Sequence, residues 1–169
     1  WQLFFFFSFA FHLLTVLLYT LTCLVLYQTL WLLFKERLGA QYSAILTFFT
    51  ALIFLLHPVH TEVVANVKGC DEILSLLFSL LSLYCVLRLI DTQKAIWQAV
   101  AGACFFAACL SKENAATFLL IIPLAVYYFR NPGNETLKSS ARRLAGLMTP
   151  LLVAFAIFFV IRGVVINWQ

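Results

Sequence analysis

Two short polar segments interrupt an otherwise apolar chain, and they hold most of the side chains with catalytic or ligand-binding chemistry. The first extends from residue 57 to residue 72 and contains His57, His60, Glu62, Lys68, Asp71 and Glu72. The second is Ser111-Lys112-Glu113-Asn114. Ammonium groups bind phosphates, and carboxylates accept protons or orient hydroxyl groups. These residue types predict a polar site for an anionic lipid headgroup.

Pro58 sets the local structure of the first segment. Because proline cannot donate a backbone hydrogen bond and restrains the residue before it, the preceding helix is predicted to end near Leu56. If Thr61 caps a short helix, Glu62 and Asn66 lie on one of its faces. The segment is then an ordered interfacial helix. A solvated connector between two membrane spans is the alternative.

A metal site in this segment stays open as a second alternative. Imidazole and carboxylate ligands suit zinc or manganese, so His57, His60 and Glu62 form a conceivable ligand set. A single His-x-x-His pattern is weak evidence for a metal, however, and the regular Cys-x-x-Cys spacing of structural metal sites is absent from the sequence. We therefore predict neither a metal nor a cofactor.

The second polar segment separates apolar runs at residues 95–110 and 115–129. Helices of this length reach about 23 Å, which is less than the hydrocarbon thickness of about 30 Å. Lys112 and Glu113 are thus predicted to lie below the membrane surface, where ionisable groups usually face a cavity or a partner. The alternative is a Lys112 that extends to the interface and pairs with Glu113. His12 is a secondary candidate on the same side, although a packed histidine is the commoner case.

The composition shows which elements must position these groups. The chain is 64% hydrophobic and 11% charged, whereas soluble domains are about 45–50% apolar and about 25% charged. Such a chain belongs in a lipid bilayer. We predict an all-α, polytopic integral membrane protein with about six transmembrane helices, at residues 9–34, 38–56, 73–90, 95–110, 115–129 and 144–161.

The distribution of basic residues predicts the orientation of these helices. Eight of the eleven fall in loops on one side, which the positive-inside rule makes cytoplasmic: Lys35, Arg37, Arg88, Lys94, Arg130, Lys138, Arg142 and Arg143. Both polar segments then face away from the cytoplasm. Because this asymmetry accounts for the net charge of +4, we predict no nucleic-acid partner.

Three motifs resemble the transmembrane-and-tetratricopeptide-repeat (TMTC) protein family and its bacterial relatives. The run HPVHTEVVANVKGCDEILSLLFSLLSLY is similar to a family segment in which His-Pro-x-His-Thr-Glu leads to Gly-Arg-x-Glu-Leu. FHLLT at residues 11–15 is similar to the family's Phe-His-Leu-x-Asn, and SKEN at residues 111–114 to its Ser-Lys-Glu. The motifs occur in the family's order, so the resemblance covers the whole chain.

The resemblance implies a GT-C class membrane glycosyltransferase. Such enzymes transfer a sugar, mannose in the animal members, from a polyprenyl-phosphate carrier to a protein hydroxyl, in the endoplasmic reticulum or a bacterial inner membrane. Lys112 is then expected near the carrier phosphate, and the polar residues between His57 and Glu72 in the donor or acceptor cavity, with Glu113 nearby. The resemblance implies that residues 1–169 are part of a GT-C-like transmembrane domain. In such enzymes a carboxylate general base lies in the first non-cytoplasmic loop, before the span that begins here, so the base is expected upstream of residue 1. Repeats, if present, lie beyond Gln169.

Two departures from the family pattern leave other functions open. Cys70 stands where the family has arginine, and a thiol cannot replace the bidentate bonds of a guanidinium group. Thr15 stands where the family has asparagine. A non-catalytic membrane anchor for a repeat domain is one alternative, and a transporter or lipid flippase is the other, because buried ionisable groups also occur along transport paths.

Overall fold

The computed structural model describes residues 2–66, 69–130 and 137–166, and within these ranges the chain is helical apart from short connections. The helices are α1 (Gln2–Leu38), α2 (Ala40–Leu56), α3 (Val59–Ala65), α4 (Cys70–Thr92), α5 (Ala95–Ser111), a 3₁₀ helix (Glu113–Thr117), α6 (Phe118–Arg130) and α7 (Leu137–Ile166). The predicted all-α fold is confirmed.

Within the part of the chain that the structure describes, three helices are long and apolar enough to cross a membrane, over Ala10–Leu38, Cys70–Thr92 and Arg143–Val165. The other three predicted spans correspond to shorter apolar helices, with 17 residues in α2, 17 in α5 and 13 in α6. Many of their apolar side chains are exposed, including Phe48, Ile53, Leu120 and Leu124. Exposed apolar faces of this kind suit contact with lipid.

Helix α4 is the centre of the bundle and packs between α1 and α5. Val86, Leu87 and Phe105 are fully buried in this core. The hydroxyl of Ser82 donates a hydrogen bond of 3.0 Å to the Ala101 carbonyl, which ties α4 to α5. A Cβ atom at Gly102 would lie 3.2 Å from Pro150, so the missing side chain allows α5 and α7 to pack closely.

A cluster of charges joins α1, α4 and α6 at one end of the bundle. The Arg130 side chain is only 5% exposed, and it lies 2.7 Å from Asp91 and 3.5 Å from Glu36. It also donates a hydrogen bond of 2.6 Å to the Leu32 carbonyl. Lys35 pairs with the same Asp91 at 3.4 Å. The ends of three helices are therefore fixed by one guanidinium group.

Candidate functional site

His57 and His60 lie in the segment that connects α2 to α4. Helix α2 ends at Leu56, as Pro58 predicted, and the short helix α3 follows. That helix begins at Val59 with Pro58 as its N-cap, so the expected capping by Thr61 is wrong. The Thr61 hydroxyl instead donates a hydrogen bond of 2.6 Å to the Pro58 carbonyl within the first turn.

Gly69 holds α3 close to the start of α4. A Cβ atom at this position would overlap the backbone carbonyl of Val63, so only glycine permits this approach. The Gly69 amide also donates a hydrogen bond of 2.9 Å to the Asn66 carbonyl. As a result, the first turn of α4, with Asp71 and Glu72, lies beside α3.

Lys112 crosses to this turn from the end of α5. Its backbone is extended, which ends α5 at Ser111 and starts the 3₁₀ helix. Its ammonium group forms an ion pair with Glu72, and the hydrogen bond that Glu72 accepts raises the pKa of Lys112 above its usual value. Glu113 pairs with Arg162 of α7. The alternative of a Lys112–Glu113 pair is therefore wrong.

A cavity of about 360 Å³ opens beside this ion pair, between α1, α3, α4 and the 3₁₀ helix. Its charged lining side chains are Lys112 and Glu72, and its apolar wall includes Leu76 and Phe118. The uncharged polar lining comes from Tyr19, Thr22, His60, Ser75, Ser79, Asn114 and Thr117. The buried hydroxyl of Ser79 has no hydrogen-bond partner within the described residues. The cavity thus combines a cationic group with an apolar wall.

A second cavity of about 410 Å³ lies on the other side of His60, and it brings in His12 and His57. Tyr19 and His60 line both cavities. The Tyr19 hydroxyl donates to the Phe54 carbonyl at 3.2 Å, and the rings of Phe54 and His60 have centroids 4.3 Å apart. The three predicted polar features therefore lie at one end of the bundle, opposite the Arg130 cluster.

A family model described as dolichyl-phosphate-mannose-protein mannosyltransferase matches residues 1–161 of this chain. The chain belongs to this mannosyltransferase family. The predicted resemblance to TMTC proteins is confirmed by relatives that bear that name. The mouse (Mus musculus) protein O-mannosyl-transferase TMTC1 is 37% identical over 117 residues, which cover 69% of this chain and 10% of the relative.

Two further O-mannosyl-transferase relatives have similar identity to this chain and are covered to a similar extent. Mouse TMTC2 is 35% identical over 92 residues, covering 52% of this chain and 11% of the relative. Protein O-mannosyl-transferase F38B6.6 of Caenorhabditis elegans is 35% identical over 79 residues, covering 44% of this chain and 10% of the relative. The chain thus spans about a tenth of the length of these relatives. No solved structure matches it.

Other predicted site residues of this chain lie away from the cavity beside Lys112. Glu62 and Asp71 are exposed and do not line it. The Asp71 carboxylate accepts a hydrogen bond of 2.9 Å from the Glu72 amide within the first turn of α4. Lys68 lies outside the described residues. Among the described residues, no group of three His, Cys, Asp or Glu side chains has an arrangement that suits a metal ion.

Tyr19 and Thr22 are lining residues that the sequence analysis missed. They follow His12 by seven and ten residues, which is the spacing of one helical face, and this periodicity was the available signal. Thr15 lies on the same helix but is buried, and its hydroxyl donates to the Phe11 carbonyl at 2.8 Å. At the position where the family has asparagine, this hydroxyl is therefore used by its own helix.

His60 is expected to make the folded state sensitive to acid. Burial, followed by the neighbouring His57, lowers the pKa of His60 below its usual value of about 6.5. Above about pH 6.5 the His60 ring is neutral in both the folded and the unfolded state, and its contribution to the free energy of unfolding is fully present. That contribution is lost as the pH falls through the lower pKa of the folded state. We expect the melting temperature in detergent to fall between pH 7.5 and pH 5.5, and to fall less in His60→Gln. An equal fall in both proteins would contradict this assignment.

Proposed function

We propose that the protein is part of a mannosyltransferase that moves mannose from a polyprenyl-phosphate carrier to a protein hydroxyl on the non-cytoplasmic side of the membrane. Lys112, placed at a largely apolar cavity within a membrane helix bundle, is the observation that carries the proposal. A phosphate needs a cation, and the first units of a polyprenyl chain need an apolar surface. Family membership supports the same reaction.

The reaction transfers one glycosyl group between two oxygen atoms. The acceptor hydroxyl oxygen forms a bond to C1 of the sugar, and the bond between C1 and the phosphate oxygen breaks. The proton of the hydroxyl passes to a carboxylate base, and the polyprenyl phosphate leaves with the electron pair of the broken bond. Lys112 stabilises the negative charge that develops on the leaving phosphate. Because Glu72 is already engaged by Lys112, we assign the base to a carboxylate outside residues 1–169.

The basic end of the bundle supports the proposed orientation. Lys35, Arg37, Arg88 and Arg130 all lie near the ends of helices that are remote from the cavity. The positive-inside rule assigns such an end to the cytoplasm. The cavity then opens to the lumen of the endoplasmic reticulum or to the periplasm.

The full-length parent protein in proteoliposomes tests this function. A radiolabelled polyprenyl-phosphate mannose is supplied as donor, and transfer of label to protein is measured alongside a nucleotide-sugar donor as the control. Transfer from the lipid-linked donor alone is the expected result. Absence of transfer from either donor by a folded protein would overturn the proposal and favour a membrane anchor or a transporter.

Glu72 is expected to compete with the carrier phosphate for Lys112. Replacing Glu72 with glutamine removes the competing charge, so the KM for the lipid donor should fall by no more than about fivefold, the range of a partly exposed ion pair. Asp71→Asn, which changes the adjacent carboxylate, is the matched control and should have a smaller effect. A KM that rises in Glu72→Gln would show that Glu72 holds Lys112 in its active position.

A further inference from the structure

Arg88, near the remote end of the bundle, contacts two aromatic rings. Its guanidinium carbon lies 5.7 Å from the centroid of the Tyr84 ring and 5.8 Å from that of Trp97. Its Nε atom is buried and has no hydrogen-bond partner among the described residues, and no described carboxylate forms an ion pair with it. Lys35 and Arg130, in contrast, share Asp91. The two rings attract the cation but leave its hydrogen-bonding capacity unused.

The position of Arg88 along α4 places it at the depth of lipid headgroups. It follows Cys70, the first residue of α4, by 18 residues, or about 27 Å at 1.5 Å per residue. That distance is close to the hydrocarbon thickness of about 30 Å. Tyr and Trp side chains are enriched at this boundary because one end of each is apolar and the other polar.

The excess of basic side chains around Arg88 favours the binding of an anion. The described basic side chains at this end are Lys35, Arg37, Arg88, Lys94, Arg130 and Arg143, against the two carboxylates of Glu36 and Asp91. Both carboxylates are within ion-pairing distance of Arg130. Ile96, beside Trp97, is exposed and offers an apolar surface for an acyl chain.

We propose that Arg88, which lies beside the adjacent rings of Tyr84 and Trp97, binds the phosphate of an anionic phospholipid headgroup in the leaflet opposite the cavity. A guanidinium group donates two parallel hydrogen bonds to a phosphate, and the rings hold it in a fixed orientation. The site is separate from the cavity near Lys112 and does not depend on mannosyl transfer. It fixes the end of α4 to the anionic leaflet.

Native mass spectrometry of the delipidated protein, titrated with phosphatidylglycerol or phosphatidylcholine, tests the site. We expect Arg88→Gln to weaken binding of the first phosphatidylglycerol by about fivefold, the usual effect of one basic residue at an anionic surface. Phosphatidylcholine binding should not change. Arg37→Gln is the matched control, because Arg37 also lies over a ring, that of Tyr128, and should retain the affinity of the unmodified protein.

Two outcomes would overturn the proposal. One is an unchanged phosphatidylglycerol affinity in Arg88→Gln, or an equal loss in Arg37→Gln. The other is displacement of the lipid by inorganic phosphate at similar concentration, which would assign the site to free phosphate. If Arg88→Gln does not fold, Arg88→Lys keeps the charge without the paired donors, and it should still bind the lipid more weakly than the unmodified protein.

Discussion

Replacing Lys112 with alanine is expected to lower the rate of mannosyl transfer by about 100-fold or more, the usual effect of removing one group that stabilises developing charge. Lys112 lines the cavity of about 360 Å³, and its ammonium group already binds a carboxylate there. The loss should appear mainly in kcat, because the charge on the leaving phosphate grows as the bond to C1 breaks. The measurement is label transfer in proteoliposomes over a range of donor concentrations.

Two further variants make this experiment specific. Lys112→Arg keeps the cation and should retain part of the activity. Lys94→Ala removes a lysine from the other end of α5, where Lys94 is the N-cap, and should leave transfer unchanged. A raised KM with an unchanged kcat in Lys112→Ala would mean that Lys112 only binds the donor.

Replacing Arg130 with glutamine is expected to lower the free energy of unfolding by about 3 kcal/mol, the lower end of the range for a broken buried ion pair. The Arg130 side chain is 5% exposed and contacts the Leu32 carbonyl, Glu36 and Asp91. Its loss leaves a largely buried Asp91 with Lys35 as its only remaining charge partner among the described residues. Unfolding in mixed micelles with increasing SDS gives the measurement.

Lys35→Gln is the matched control for Arg130→Gln. Lys35 pairs with the same Asp91, but at 3.4 Å and with a side chain that is 26% exposed. Its removal should cost less than about 1 kcal/mol, as is usual for an exposed ion pair. Equal losses in the two variants would show that the charge on Asp91, rather than the contacts of Arg130 with α1 and α4, determines the stability.

The sequence predicted the features that depend on local chemistry. Helix α2 ends where Pro58 requires it to end, and the apolar runs form helices. The sequence did not predict that Lys112 pairs with Glu72 and Glu113 with Arg162, because these partners are 40 and 49 residues apart. Such pairs depend on how α4, α5 and α7 pack, and hydrophobic periodicity contains no information about that packing.

The sequence also predicted part of the candidate site, namely the residues that lie in its polar segments. The polar segments contain Lys112, Glu72 and His60, which line the cavity of about 360 Å³. Glu62 and Asp71 are exposed and do not line that cavity. The sequence could not distinguish them from Glu72, because a polar segment does not show which of its side chains face solvent. Tyr19 and Ser79 lie within apolar runs, so their contribution appears only when α1 and α4 are placed side by side.

The 17-residue lengths of α2 and α5 have a consequence for the surrounding lipid. Each helix extends about 25 Å, roughly 5 Å less than the hydrocarbon core of an average bilayer. Lipids beside these helices must shorten or tilt their chains to meet this hydrophobic mismatch. We therefore expect the membrane to be thinner next to the end of α5, where Lys112 begins the turn toward the cavity, so that a phosphate bound there lies deeper than in the bulk leaflet.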